Sequence, residues 1–200
     1  ADVRARLILA AGLVDRPATV TLDEGKLQLE AMMADFIGQA RAWLDRPDEE
    51  RQQVEPPAWL LNGSMGLGKS RIARQAAGRL LNDSGFLNDR GEPGIVVNSV
   101  PLHRLANEQA GFFKDETGRD AATWRGMDRE DPERGDGSKM CLQPDLSAAA
   151  EEAGVSVADV CRICPSRTEC GYIRQRKQKS RTWYITHQLL FRTRPTAIPT

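Results

Sequence analysis

"LNGSMGLGKSR", residues 61–71, carries the pattern G-x-x-x-x-G-K-S/T from Gly63 to Ser70, and its reading decides the fold. Backbone N–H groups along Gly63, Ser64, Met65, Gly66, Leu67 and Gly68 close on phosphate oxygens most easily where glycine leaves no Cβ in the way. Lys69 supplies a point charge to the β- and γ-phosphates, and Ser70 offers a hydroxyl to Mg²⁺. A helix beginning there turns its positive end toward the anion. The expected ligand is therefore a nucleotide with Mg²⁺, and Lys69 is the expected catalytic residue. Such a loop needs a strand before it and a helix after it. "AWLLN" (58–62) has the length of a strand, and "SRIARQAAGRLLND" (70–83) is rich in helix formers.

Working outward, residues 1–55 read as helical, with apolar residues at helical spacing through Leu27, Ala31, Met32, Ala34, Phe36, Ile37, Ala40 and Trp43. A charged, proline-bounded connector, "DRPDEERQQVEPP", then interrupts the pattern. Downstream, "GIVVNSV" (94–100) is a β-branched run that reads as a second strand, and "LHRLANEQAGFFKD" reads as a helix after it. Strands alternating with helices predict an α/β fold with a parallel sheet. From Met127 the periodicity stops, and "TWYIT" (182–186) resumes it. The expected organisation is a helical segment over 1–55, a P-loop core over 56–126, an insertion over 127–181 and a return strand within 182–200.

The hydrophobic share is 40% and the charged share 28%, as in ordinary globular chains, and no apolar run reaches the roughly 18 residues of a membrane span. No basic segment followed by an apolar one opens the chain, and Ala1 stands where Met is expected, so the reading is a trimmed, cytoplasmic protein without a membrane partner. With 28 basic and 28 acidic residues the bulk charge predicts no polyanion partner, but the distribution is uneven. Gly171 to Thr200 carries no Asp or Glu, whereas Asp128 to Asp136 is acid-rich. Arg174, Arg176, Lys177, Lys179 and Arg181, flanked by Tyr172 and Trp183, would offer phosphate contacts and rings for unstacked bases. A solvated helix face is the plain alternative for the same run.

All four cysteines fall in one window: Cys141, Cys161, Cys164 and Cys170, spaced C-x19-C-x2-C-x5-C. A C-x2-C pair delivers two thiolates to one metal from a single turn, and disulfides are disfavoured in a reducing compartment. Four thiolates suit tetrahedral Zn²⁺ and equally a [4Fe-4S] cluster, and spacing does not separate the two. "PDLSAAAEEAG" (144–154) reads as a short helix stopped by Gly154, and Ser156 is placed to cap a second one reaching Cys161. So small an insert has little apolar mass, and the metal is expected to hold it together. Hydrolysis also requires an apolar strand ending in an acid that holds Mg²⁺. The one faintly similar run, "LILAAGLVD" (7–15), precedes the loop and reads better as an amphipathic helix.

The order of P-loop, second strand and helix, four-cysteine segment and "WYITHQLLF" resembles the first motor domain of the XPD/DinG-type iron–sulphur DNA helicases of superfamily 2, over roughly residues 56–200. Ile185-Thr186-His187-Gln188-Leu189-Leu190 stands where that family has an apolar strand, Asn-His and a Leu pair, with Thr186 in place of the Asn. The resemblance implies a RecA-like sheet, a [4Fe-4S] cluster on the four cysteines, and ATP-driven unwinding of single-stranded or forked DNA. It further implies an adenine contact from Gln28 in "KLQLEAMM" and backbone contacts from His103 and Arg104 in "SVPLHRLANEQ". As ordinary residues, Gln28 would be a surface helix residue, His103 a surface histidine and His187 a packed one. The C-x5-C tail is shorter than the family's, and no acidic strand end follows Leu190. A P-loop ATPase, or a nucleotide-dependent DNA-binding module, with a structural zinc insert is the alternative.

Overall fold

The computed structural model describes residues 21–61, 66–87 and 91–190, and the chain divides into two compact units, Ala1–Ala73 and Arg74–Thr200. The expected helix or strand at residues 7–15 lies outside the described residues, as do Asn62, Gly63, Ser64 and Met65.

In the first unit the helical pattern becomes α1 (Leu22–Leu44). Thr21 and Glu24 start it with a reciprocal pair of bonds: the Glu24 N–H donates to Thr21 Oγ1 at 3.3 Å and the Thr21 N–H to Glu24 Oε2 at 2.8 Å. Two of the helix's first orphan donors are satisfied this way. Thr21's backbone and hydroxyl donors also hold the Glu24 carboxyl below the usual glutamate range. The connector differs from expectation in containing a helix of its own, α2 (Asp48–Gln53), with three acids in its first turn to complement the dipole. Trp43 Nε1 donates to the Val54 carbonyl at 2.9 Å, folding this connector back onto α1.

The strand expected at 58–62 does not form over residues 58–61. Leu60 is 68% exposed, and no strand is hydrogen-bonded alongside. A strand is stabilised by its ladder, so an apolar run without a partner gains nothing from extended pairing. Trp59 packs instead edge-on against Phe36 of α1, ring centres 6.0 Å apart.

The second unit is mixed α/β around a small open sheet of three parallel strands, β1 (Val96–Val100), β2 (Ala122–Thr123) and β3 (Thr182–Thr186), in the order β1-β3-β2. Helix α4 (His103–Thr117) makes the crossover from β1 to β2, and Gly118 ends it in the left-handed region at φ 69°. The chain then leaves β2, travels from Trp124 to Arg181, and returns as the middle strand. Every residue of β3 is buried, as expected for a strand covered on both faces. One face packs Trp183 and Ile185 with Ala122 and Trp124, and Trp124 meets Trp183 edge-on at 5.7 Å. Burying one such indole removes about 200 Å² from water, roughly 5 kcal/mol of gross stabilisation. On the other face Tyr184 is pushed up to about 12, by burial first, with Arg74 and Glu116 as the charges it feels.

Helix α3 (Lys69–Asn82) begins in the first unit and ends in the second. Its second half meets α4 closely: a Cβ on Gly78 would lie 2.7 Å from Thr117 Cγ2. Arg74 seals that contact, donating to Glu116 at 3.0 and 2.6 Å with its guanidinium 5.3 Å from the Phe112 ring centre. Among the described residues no helix is long and apolar enough to cross a membrane.

Candidate functional site

The described part of the Gly-rich loop, residues 66–68, leads into a helix as the motif requires, but the strand expected before it is absent over 58–61. Gly66 and Gly68 sit at φ 85° and 77°, where an L side chain costs about 1–2 kcal/mol. A Cβ at either would meet nothing within 4 Å, so the glycines answer a conformational need before any steric one. The Ile72 N–H bonds the Gly68 carbonyl at 2.9 Å, and α3 opens directly with Lys69 and Ser70. Lys69 is partly buried, Ser70 is exposed, and no acid occupies the first turn to compete for the positive helix end.

The cysteines are placed by short local structures. A turn from Arg129 to Met140 closes through the Met140 N–H to the Arg129 carbonyl at 2.7 Å, and Cys141 follows, its own N–H bonded to the Met127 carbonyl at 3.0 Å. Helix α5 (Pro144–Glu152) ends as expected at Gly154, φ 67°, with the Val155 N–H on the Ala150 carbonyl at 2.8 Å. Helix α6 (Val157–Ile163) carries Cys161; Ser156 is its N-cap but makes no side-chain bond there. The Arg167 guanidinium donates to the Cys161 carbonyl at 2.8 Å and its N–H to the Cys164 carbonyl at 3.1 Å, which fixes the turn between the two cysteines. Cys170 precedes α7 (Gly171–Arg176), and its thiol donates to the Met140 carbonyl at 3.3 Å. Met140 therefore ties Cys141 and Cys170 together from opposite ends of the window.

All four thiols are free, Cys141 and Cys170 buried and the other two half-buried. Burial pushes the Cys141 thiol up; N–H donation from Gln143 and a bond from Ser147 oppose this, while Cys170 and Cys164 add to it. Cys161 is pushed up by burial and then by Cys141, Cys170 and Cys164. Cys141 and Cys161 would thus feel the neighbouring thiolates. Among the described residues, however, no group of three or more His, Cys, Asp or Glu side chains has its donors disposed to hold a metal ion as it stands. The two facts are compatible, because charge repulsion is felt across about 10 Å whereas a Zn²⁺ ligand needs its sulphur at about 2.3 Å. The donor set suits a soft metal in number and type, but the four thiols do not converge on one point.

Of the residues read as nucleic-acid contacts, Lys177 and Lys179 are exposed and Arg104 is exposed beside Glu108 at 3.7 Å. Arg176 lines a cleft of about 450 Å³ with Arg162, Arg167 and Lys177 beside Cys161, so the structure adds two cations to the run. Others have structural work. Arg181 donates to the Gly94 carbonyl at 3.1 Å and to the Leu81 carbonyl at 3.0 Å, clamping β3 to the ends of two neighbouring segments. Arg174 holds both oxygens of the buried Asp131 at 2.7 Å. Tyr172 lies edge-on to Trp124 at 5.8 Å. Trp183 is fully buried with its indole N–H on the Ser180 carbonyl, so it is no platform for bases. Gln28 is exposed on α1; His187 is exposed rather than packed, and His103 is half-buried with a solvent-excluded Nδ1 that has no hydrogen-bond partner.

Asp131 and Gln175 escaped the sequence reading. The Gln175 amide clasps the Arg125 backbone with two bonds, 2.8 and 3.1 Å, and Asp131 sits against Gly171 so tightly that a Cβ there would fall 2.3 Å from Oδ2. The available signal was a glycine opening a helix directly after a cysteine. No family model, curated protein or solved structure matches this chain.

Proposed function

We propose that this chain is the nucleotide-binding part of an ATP-driven DNA helicase motor of the XPD/DinG kind, with a RecA-like core and a metal-holding cysteine insert. The observation that carries the reading is the pair of left-handed glycines, Gly66 and Gly68, running straight into a 14-residue helix headed by Lys69 and Ser70. In this reading Lys69 neutralises the β- and γ-phosphates and Ser70 ligates Mg²⁺. Cys141, Cys161, Cys164 and Cys170 would hold a [4Fe-4S] cluster, whose contribution is to brace a segment that buries little apolar surface. The basic cleft beside Cys161, together with Lys177 and Lys179, would guide a DNA strand by its phosphates.

A second reading is favoured by one observation, the short five-residue step from Cys164 to Cys170: a P-loop ATPase or DNA-binding module whose insert holds Zn²⁺ and which separates no strands. Both readings are tested first by titrating a fluorescent ATP analogue with Mg²⁺. Saturable binding that weakens at least tenfold in Lys69→Ala supports them, and binding indifferent to Lys69 removes both. Displacement of a labelled strand by the ATP-loaded protein then selects the first over the second.

A further inference from the structure

A cleft of about 550 Å³ lies along β2, between α4 and α7. Three cations line it, Arg125, Arg174 and Lys177, against two carboxylates, Asp131 and Glu133. Both carboxylates are already engaged by one arginine: Arg174 holds Asp131 at 2.7 Å and Glu133 at 2.7 Å, and Arg134 stands 3.9 Å from Asp131 as well. Arg125 is in a different position. Its guanidinium donates to Asn107 Oδ1 at 2.7 Å and to the Thr123 carbonyl at 3.4 Å, both neutral acceptors, and among the described residues it has no carboxylate within ion-pair distance.

A half-buried cation without a counter-ion is costly, since the field it has lost from water is replaced by weak dipoles. The guanidinium is correspondingly driven below the usual arginine range by burial, with Asp131 the charge that opposes the shift. The backbone of Arg125 cannot relax away, because the Gln175 amide bonds both its N–H and its carbonyl. The cation is thus held at the wall of a cleft that has room for a ligand, with the exposed Lys177 on the same lining.

We propose that this cleft binds a phosphate group, with Arg125 as the half-buried anchor and Lys177 as the outer contact. Guanidinium is suited to the role because its planar fork gives paired donors to phosphate oxygens. The site is separate from the P-loop, and its test contains no nucleoside triphosphate, so the outcome does not depend on the nucleotide reading.

The experiment is a titration of the folded chain by calorimetry with three ligands: inorganic phosphate, a short oligothymidylate carrying a 5′-phosphate, and the same oligomer without it. Arg125→Gln should weaken binding about tenfold or more, the size expected for one lost charge-assisted bond, and Arg125→Lys should restore part of it. Lys177→Gln, at an exposed position where folding is not at stake, should weaken it severalfold. Preference for the 5′-phosphorylated oligomer identifies a terminal phosphate, equal loss for both oligomers a backbone phosphate, and loss confined to inorganic phosphate a free anion; each supports the proposal. Should all three ligands bind Arg125→Gln and Lys177→Gln as they bind the unaltered protein, the cleft is not a phosphate site.

Discussion

Gly171→Ala is the substitution whose sign this structure reverses. At a compatible helix position, replacing glycine by alanine stabilises by about 0.4–1 kcal/mol through the unfolded chain. Here the new Cβ would stand 2.3 Å from Asp131 Oδ2, 2.8 Å from its Cγ and 3.2 Å from Met140 Sδ. Asp131 is held by two 2.7 Å bonds from Arg174 and is 2% exposed, so it can yield to the new methyl only by straining or giving up those bonds. Overpacking costs about 1–3 kcal/mol, and breaking a hydrogen bond to a charged group adds about 1.5–3. After the unfolded-state gain is subtracted, the net expectation is a loss of about 1.5–5.5 kcal/mol. A chain of this size should then melt roughly 3–22 °C lower. The assay is urea and thermal unfolding followed by near-ultraviolet circular dichroism, run as a double-mutant cycle with Asp131→Ala. In the cycle Gly171→Ala should cost much less once the carboxylate is gone. A Gly171→Ala protein as stable as the original, or an additive cycle, would refute the reasoning.

The same logic at Gly78 predicts that Gly78→Ala, normally favourable within a helix, destabilises by about 1–2 kcal/mol against Thr117, and that Thr117→Ser relieves it by removing Cγ2; chemical denaturation of the three variants checks this. His103 is held below its ordinary value of 6.5 by burial first, then by Arg129 and Arg125. The unfolded chain therefore takes up the proton first as pH falls, so this group's contribution is complete above 6.5 and is lost on descending toward its depressed folded value. His103 is only half-buried, so the effect is small; it should disappear in His103→Gln, read as melting temperature across roughly pH 7 to 5. If the four thiols hold a metal, anaerobically purified protein should contain iron with sulphide, or one zinc, and Cys161→Ser should lose it. Metal-free protein from metal-replete cells would count against the cysteine reading.

Long elements were legible because their patterns are long. The spans read for α3 and α4, 70–83 and 102–115, differ from the observed Lys69–Asn82 and His103–Thr117 by one or two residues, and β3 agrees at both ends. Two errors have one cause. Residues 58–61 looked like a strand and are not, while Ala122–Thr123 looked like nothing and is one; in both cases the ladder partner, invisible in local pattern, decides. Trp183 was misjudged for a related reason: its charged neighbours suggested a surface, but it lies in the middle strand, where position in the sheet outweighs flanking charge. At the candidate sites, the loop glycines were read as leaving room for phosphate, whereas the structure shows Gly66 and Gly68 in the left-handed region with open space around them. What could not be read was which cations were already committed. Arg174 and Arg181 are tied to partners 43 and 87 residues away, a separation no spacing rule reaches.

The central claim is that nucleotide and DNA are handled by one machine, and the most direct measurement is the affinity of this protein for a fluorescein-labelled single-stranded oligonucleotide with and without ATP and Mg²⁺. The account predicts that the two binding curves separate by at least severalfold, and that the separation vanishes in Lys69→Ala. Curves that coincide in the unaltered protein, or separate equally in Lys69→Ala, would contradict it.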